Sequence, residues 1–138
     1  MKEWTFDYRR NGMRWSFPVY RSSEGNYYIR HAKTTDIPEI REELEGLWKG
    51  TLAEGSPPSD RVRDLARFEW LWYRANPFGR AGASTGALLS VLLRKRLEAD
   101  GVRTRIPETF AVQDHDALSL SLEAYVDRRV VELTVIRE

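Results

Sequence analysis

The sequence contains no cysteine. A disulfide framework, a thiolate nucleophile and a zinc site built on cysteine are therefore excluded. It has only two histidines, His31 and His115, so a metal site made of three histidines from one chain is excluded as well. Long hydrophobic runs are also missing. The longest apolar stretch, around Leu88 to Leu93, is far shorter than the ~20 residues that a membrane-spanning helix needs.

Neither sign of charge dominates the composition, because 22 basic residues face 21 acidic ones and the net charge is +1. A dedicated nucleic-acid binder normally carries a large positive excess, so none is expected as a partner. The N-terminus lacks the hydrophobic segment of a signal peptide. We therefore expect a protein of the cytoplasm, or one delivered from it as an effector or toxin, without a membrane partner.

With 41% hydrophobic residues in 138, the chain is long and apolar enough for one domain, residues 1–138. Alternating aromatic residues predict β-structure over residues 1–31, with Asn11-Gly12 as a two-residue hairpin turn. Such a turn puts six apolar residues on one face. The pairs that it predicts are Tyr8–Trp15, Phe6–Phe17 and Trp4–Val19. A further extended run, Tyr27 to His31, continues the antiparallel arrangement.

Residues 36–128 predict a helical core, because apolar residues recur there every three or four positions. The predicted helices run from about Asp36 to Gly50, Asp60 to Ala75, Ser84 to Gly101 and Asp114 to Arg128. Trp70 lies off the apolar stripe of the second helix and is expected to pack against the N-terminal hairpin. The tail, residues 129–138, joins the sheet as a strand or extends the last helix, and its alternation favours the strand. The prediction is an α+β fold, mostly helical, with a small N-terminal antiparallel sheet.

A loop rich in glycine and alanine links the second and third predicted helices. Unpaired amides in such a loop, together with the dipole of the following helix, form an anion site. The phosphate-binding candidates are Gly79, Arg80, Gly82, Ser84 and Thr85. The alternative is a tight turn between helices, in which Arg80 is solvated and the two hydroxyl residues cap the third helix.

The segment Asn76-Pro77-Phe78, the small-residue loop and the following Thr85-Gly86-Ala87-Leu88-Leu89 resemble the central motif of the Fic (fido) family. That motif reads His-Pro-Phe-x-(Asp/Glu)-Gly-Asn-Gly-Arg-x-x-Arg and leads into a leucine-rich helix. Upstream, the segment from Gly25 to Ile37 looks like the β-hairpin flap of that family. The resemblance covers about residues 24–100 and implies a Fic-like helical core. It also implies a target-binding flap at Tyr28, Arg30 and His31, whose alternative is an ordinary strand surface.

The sequence departs from the Fic motif at the positions that carry its chemistry. Asn76 stands at the histidine that serves the family as general base, and an amide cannot accept a proton at working pH. Arg80 stands at the acidic position and would repel Mg²⁺. Ala81-Gly82-Ala83-Ser84 replaces Gly-Asn-Gly-Arg, and Ala87 replaces the last arginine. We therefore expect neither standard AMP transfer nor Mg²⁺ held in the family's usual way.

Two other residues can supply acid–base chemistry. Glu69 lies on the apolar stripe of the second helix, about two turns before Asn76. A carboxylate among apolar neighbours can act as an acid or a base, and the alternative is an ion pair with Arg63 or Arg67. His115 is flanked by two aspartates, an arrangement that can orient a base. The alternative there is capping of the fourth helix.

These observations leave two functions open, one enzymatic and one not. The first is a diverged Fic-like domain that binds a nucleotide, a sugar nucleotide or another phosphorylated ligand at the Gly79–Thr85 loop. It would transfer a nucleotidyl or glycosyl group to a protein target without the usual histidine, with Asn76, Glu69 and His115 as catalytic candidates. The second is an inactive relative that binds a protein partner through the flap edge and a Trp-rich surface. A third interpretation takes the resemblance as accidental.

Overall fold

The computed structural model describes residues 2–79, 82–102 and 117–132. Within these ranges the chain has the α+β fold that the sequence predicts. The elements are the strands β1 (Lys2–Arg10), β2 (Met13–Arg21) and β3 (Tyr27–Ile29), a 3-10 helix (Thr34–Asp36), and the helices α1 (Ile37–Leu52), α2 (Pro58–Ala75), α3 (Gly82–Ala99) and α4 (Leu122–Glu132). None of these helices combines the length and the hydrophobicity needed to cross a bilayer.

The three strands form one antiparallel sheet in the order β1-β2-β3. Its register confirms the predicted hairpin, with Tyr8 opposite Trp15, Phe6 opposite Phe17 and Trp4 opposite Val19. The reason is the two-residue turn at Asn11-Gly12, where both residues have positive φ, 51° and 81°. Strand β3 pairs with the end of β2 and stops at Ile29, two residues earlier than predicted.

One face of the sheet packs against α2, and Trp70 is the main contact. Its side chain is fully buried, with ring centroids 6.2 Å from Tyr8 and 6.0 Å from Phe17. Its indole Nε1 donates a hydrogen bond to the carbonyl oxygen of Leu120 at 2.9 Å. The prediction that Trp70 packs on the hairpin is therefore confirmed.

Helix α2 is the centre of the domain, because α1, α3, α4 and the sheet all pack around it. It begins at Pro58, where a proline suits the first helical turn, rather than at Asp60. Helix α1 continues past the predicted stop at Gly50 to Leu52. Gly50 is needed for close packing instead, since a Cβ atom there would collide with the carboxylate of Asp64 on α2.

The C-terminal part differs from the sequence prediction in two ways. The predicted helix from Asp114 to Arg128 is broken: residues 117–119 are helical, and α4 starts again at Leu122. Ser121 explains the new start, because its hydroxyl accepts a hydrogen bond from the amide of Ala124 at 3.2 Å, as an N-cap does. The predicted C-terminal strand is wrong for residues 130–132, which extend α4. Asp114 and residues 133–138 lie outside the described residues.

The hairpin turn predicts how one glycine substitution changes stability. Gly12→Ala is expected to lower the free energy of unfolding by about 1 kcal/mol, because alanine is strained at φ 81° although the site has open space. Gly55→Ala is the matched control, since Gly55 also has open space but no positive φ. It should leave stability unchanged or raise it slightly. Urea unfolding measures both, and equal effects would contradict this account of the turn.

Candidate functional site

The segment after α2 turns sharply at two residues with positive φ, Asn76 at 45° and Gly79 at 77°. The amide of Asn76 donates to the carbonyl oxygen of Trp72 at 2.9 Å and so closes the helix. Asparagine tolerates this left-handed conformation better than most side chains. The loop glycine Gly79 is exposed, whereas Arg80 and Ala81 lie outside the described residues.

The side chain of Asn76 lies against the backbone at the start of α3. A Cβ atom on Gly82 would collide with the Asn76 amide oxygen, so the first residue of α3 has to be small. Asn76, which the resemblance places at the Fic base position, therefore ends α2 and contacts the beginning of α3. This contact brings the two helices close together on either side of the glycine-rich loop.

Trp72 holds the first turns of α3 against α2. Its indole Nε1 donates to the carbonyl oxygen of Gly82 at 2.7 Å. A Cβ atom on Gly86 would come within 2.5 Å of the Trp72 ring, so glycine is required for this close approach. The predicted caps Ser84 and Thr85 therefore lie within α3, which includes Gly82. Ser84 and Thr85 are exposed in the first turn of the helix.

Phe78 forms an exposed aromatic contact beside this turn. Its ring centroid lies 5.3 Å from that of Trp72, and the guanidinium of Arg41 on α1 lies 4.3 Å from it. The same guanidinium donates to the carbonyl oxygen of Pro77 at 3.1 Å. Between α1, α2 and Phe78 lies an apolar cavity of about 370 Å³, which Trp48 and Leu89 also line.

Glu69 faces the interior between α2, α3 and α4, and its side chain is almost completely buried. Arg129 donates to both carboxylate oxygens, from Nε at 2.9 Å and from Nη2 at 2.8 Å. The hydroxyls of Ser90 and Tyr125 donate to it at 2.6 and 3.3 Å. Four hydrogen bonds from α3 and α4 thus hold the carboxylate in place. Burial, and then the charge of Glu69, raises the pKa of Tyr125, which keeps its hydroxyl protonated.

The ion pair of Glu69 was expected with a neighbour on α2, and that expectation is wrong. Arg63 instead lies 3.8 Å from Asp127, and Arg67 lies 2.9 Å from Asp64. The true partner, Arg129, comes from α4, because the buried side of α2 faces that helix. A partner 60 residues away leaves no local sequence pattern that could identify it.

Arg74 is a second buried charge of α2, fully enclosed near its C-terminal end. Its guanidinium donates to the carbonyl oxygens of Ala117 and Leu118 and lies 3.8 Å from the ring centroid of Phe6. Among the described residues, its Nη1 has no hydrogen-bond partner. Burial lowers the pKa of Arg74 to about 10, so the side chain remains charged at neutral pH. Sequence reasoning missed this residue.

Glu43 on α1 is a further buried charged residue that the sequence analysis did not identify. The phenol of Tyr8 donates to it at 2.7 Å, and Arg10 donates at 3.1 Å, so the group joins α1 to β1. Burial, and then the hydrogen bond to Glu43, raises the pKa of Tyr8. Here the sequence did carry a signal, because Glu43 lies among Ile40, Leu44 and Leu47, which are all buried.

The predicted flap residues lie at an edge of the sheet, because β3 pairs with β2 alone among the described strands. The backbone amide of Arg30 donates to the carbonyl oxygen of Pro18 at 3.0 Å, and the amide of Ser22 donates to the carbonyl oxygen of Asn26 at 2.8 Å. In an antiparallel pair every second residue bonds to the neighbouring strand. The backbone groups of Tyr27 and Ile29 therefore point away from β2.

The end of the flap is attached to the last turn of α2. Nδ1 of His31 donates to the carbonyl oxygen of Arg74 at 2.8 Å, and the amide of Ala32 donates to Ala75 at 3.1 Å. The side chains of Tyr28, Arg30 and His31 are exposed. The predicted catalytic residue His115 lies outside the part of the chain that the structure describes.

No protein-family model matches this chain, and no curated protein does. The resemblance to the Fic family therefore stays a prediction from the order of the motif and its surrounding elements. Within residues 2–79, 82–102 and 117–132, no group of three acidic, histidine or cysteine side chains could hold a metal ion.

The buried pair of Glu69 and Arg129 predicts a large loss of stability when one partner is removed. Arg129→Met should lower the free energy of unfolding by about 3 kcal/mol, because it leaves the Glu69 carboxylate buried without its cation. Removing both charges, in Glu69→Met with Arg129→Met, should recover part of that loss. Urea unfolding gives these values.

Arg63→Met is the matched control for this experiment, since Arg63 makes a long and exposed ion pair. Its expected cost is below about 1 kcal/mol. A loss in Arg129→Met no larger than in Arg63→Met would show that the buried pair does not stabilise the domain.

Proposed function

We propose that this chain binds an extended segment of a protein partner along the outer edge of β3. The observation that carries this proposal is the pair of outward backbone positions at Tyr27 and Ile29. An exposed strand edge offers unpaired N–H and C=O groups on which a further strand can form. The proposal is the second of the two functions that the sequence left open, and its edge is the predicted target-binding flap.

Exposed aromatic side chains next to that edge support the same proposal. Trp4 and Tyr27, at 45% and 55% exposure, lie on the core face of the sheet beyond the helices, with ring centroids 5.5 Å apart. Tyr28, at 56% exposure, lies on the opposite face. Side chains of an added strand alternate between the two faces, so they would meet aromatic surface on both. Aromatic residues are enriched where proteins bind one another.

The attachment of the flap to α2 favours binding without rearrangement. The hydrogen bonds of His31 and Ala32 hold the end of the flap against the last turn of α2. An edge that is already ordered loses less conformational entropy when a partner binds. Glu69, the acid–base candidate, accepts hydrogen bonds from Ser90 and Arg129 inside the domain. Its carboxylate therefore joins helices together, which favours a binding function over a catalytic one.

A nucleotide or another phosphorylated ligand at the Gly79–Thr85 loop remains the second candidate. Two observations favour it: Gly79 has positive φ, and the hydroxyls of Ser84 and Thr85 are exposed in the first turn of an 18-residue helix. Backbone amides at such a position can bind a phosphate. A transferase activity, nucleotidyl or glycosyl, would depend on this binding.

Replacing Ile29 by proline tests the strand edge, because proline removes only the N–H that points away from β2. The probes are linear peptides selected on the wild-type domain from a displayed random library. Ile29→Pro should weaken their binding about tenfold, since it removes a main-chain hydrogen bond and places a ring at the edge. Isothermal titration calorimetry measures the Kd.

Ile29→Ala is the matched control, because it shortens the same side chain but keeps the N–H. It should weaken binding less than Ile29→Pro does, and thermal unfolding should show that both variants are folded. The proposal is wrong if the selection yields no binding peptide, or if the selected peptides bind Ile29→Pro as tightly as the wild type.

Calorimetry with ATP, UTP, a CDP-linked compound and a sugar nucleotide tests the loop. If the loop binds phosphate, at least one of these ligands binds, and the backbone amide resonances of Gly79, Ser84 and Thr85 shift on titration. Absence of heat and of shifts with all four ligands would rule out the loop as a nucleotide site. It would leave the strand-edge proposal unaffected.

A further inference from the structure

The face of the sheet that points away from the helices carries a cavity of about 420 Å³. It lies between the outer side chains of β1 and β2 and the chain that follows β3. Six charged or polar residues in its wall matter for its chemistry: Asp7, Arg14, Tyr20, Arg30, His31 and Lys33. The cavity shares Arg30 and His31 with the predicted flap, but it opens on the outer face of the sheet rather than along the backbone edge of β3, and none of its lining residues belongs to the glycine-rich loop. Its size is within the range of small-molecule sites.

The only carboxylate among these six wall residues is already engaged. Asp7 accepts hydrogen bonds from Ser16 at 2.8 Å, Arg14 at 3.2 Å and Arg9 at 3.3 Å. Burial opposes its ionisation, but the hydrogen bond from Ser16 and the charges of Arg14 and Arg9 outweigh it. Together they hold the pKa of Asp7 below its usual value. Asp7 is therefore ionised at neutral pH, and its charge is balanced by its own neighbours.

The remaining cations of the wall are left for a ligand. Arg30 and Lys33 are exposed, and neither has an ion-pair partner among the residues that the structure describes. With Arg14 they give the wall three positive charges against the single negative charge of Asp7. A cluster with that excess attracts anions.

His31 adds an oriented imidazole to the same wall. The carbonyl oxygen of Arg74 can only accept, so Nδ1 of His31 carries the hydrogen of their 2.8 Å bond. This fixes the ring, and Nε2 of the neutral imidazole is then an acceptor, which can receive a hydrogen bond from a protonated ligand oxygen. The hydroxyl of Tyr20 supplies a neutral donor from β2.

We propose that this cavity binds a small phosphate-bearing ligand. A guanidinium, an ammonium and hydroxyl donors are the groups with which proteins bind phosphate, and Arg30 suits two phosphate oxygens at once. The excess of two positive charges matches the charge of a phosphate dianion. The remaining volume, bordered by the ring of Tyr20 and by Pro18, accommodates the organic part of a phosphate ester.

The test is a titration with inorganic phosphate at constant ionic strength, followed through the backbone amide resonances of the 138-residue chain. Saturable shifts are expected at Arg30, His31 and Lys33. Arg30→Gln and Lys33→Gln should each raise the Kd for phosphate about fivefold, because each removes one cation and its charge-assisted hydrogen bonding. Acetate, titrated in the same way, should bind more weakly than phosphate since it carries one charge.

Two control variants remove the same charges elsewhere on the surface. Lys49→Gln removes a lysine of α1 and Arg63→Gln removes an arginine of α2. Both variants should leave the Kd for phosphate unchanged. The proposal is overturned if the shifts do not saturate, if acetate binds as tightly as phosphate, or if the controls weaken binding as much as the cavity variants. Shifts confined to residues 82–86 would also overturn it and would place the anion at the loop instead.

Discussion

The burial of most of α2, from Arg61 to Ala75, is the constraint on which the rest of the domain depends. Three ionic residues of this helix lie inside the protein, and a buried charge is stable only when hydrogen bonds compensate it. Arg61 donates to the carbonyl oxygen of Thr51 and to Asp100, which ties the ends of α1 and α3 to it. Glu69 binds side chains of α3 and α4, and Arg74 binds the carbonyls of residues 117–118. The three buried charges of α2 therefore connect it to α1, α3, α4 and the segment at residues 117–118.

Local patterns were enough to predict the hairpin, its register and the packing of Trp70. In each case the information lies within a few residues: a turn that requires positive φ, an alternation of period two, and one aromatic residue off a helical stripe. The break at Ser121 was not predicted, and the helical state of residues 130–132 is the less favoured of the two alternatives that the sequence left open. Val130 to Ile136 alternate as a strand does, but the burial of Tyr125 and Arg129, four residues apart, continues the helix instead.

The candidate site was harder to predict, because its residues were chosen from a motif, a helical stripe and local neighbours along the chain. The structure distributes them over different surroundings: Glu69 in the interior, Asn76 in a turn, and His31 in the wall of a surface cavity. The ion pair of Glu69 with Arg129 follows only from a tertiary contact. Sequence spacing predicts which residues share a face of one element, whereas it says little about which elements meet.

The attachment of the flap to α2 connects the flap and the glycine-rich loop to the same stretch of backbone at the end of that helix. The carbonyl oxygens of Arg74 and Ala75 accept the hydrogen bonds of His31 and Ala32, and the next residue, Asn76, begins the turn that leads to Gly79. This stretch of backbone therefore contacts the flap and also leads into the loop. Occupants of the sheet and of the loop would therefore change each other's affinity by the same factor, whichever arrives first, whenever one of them displaces that stretch.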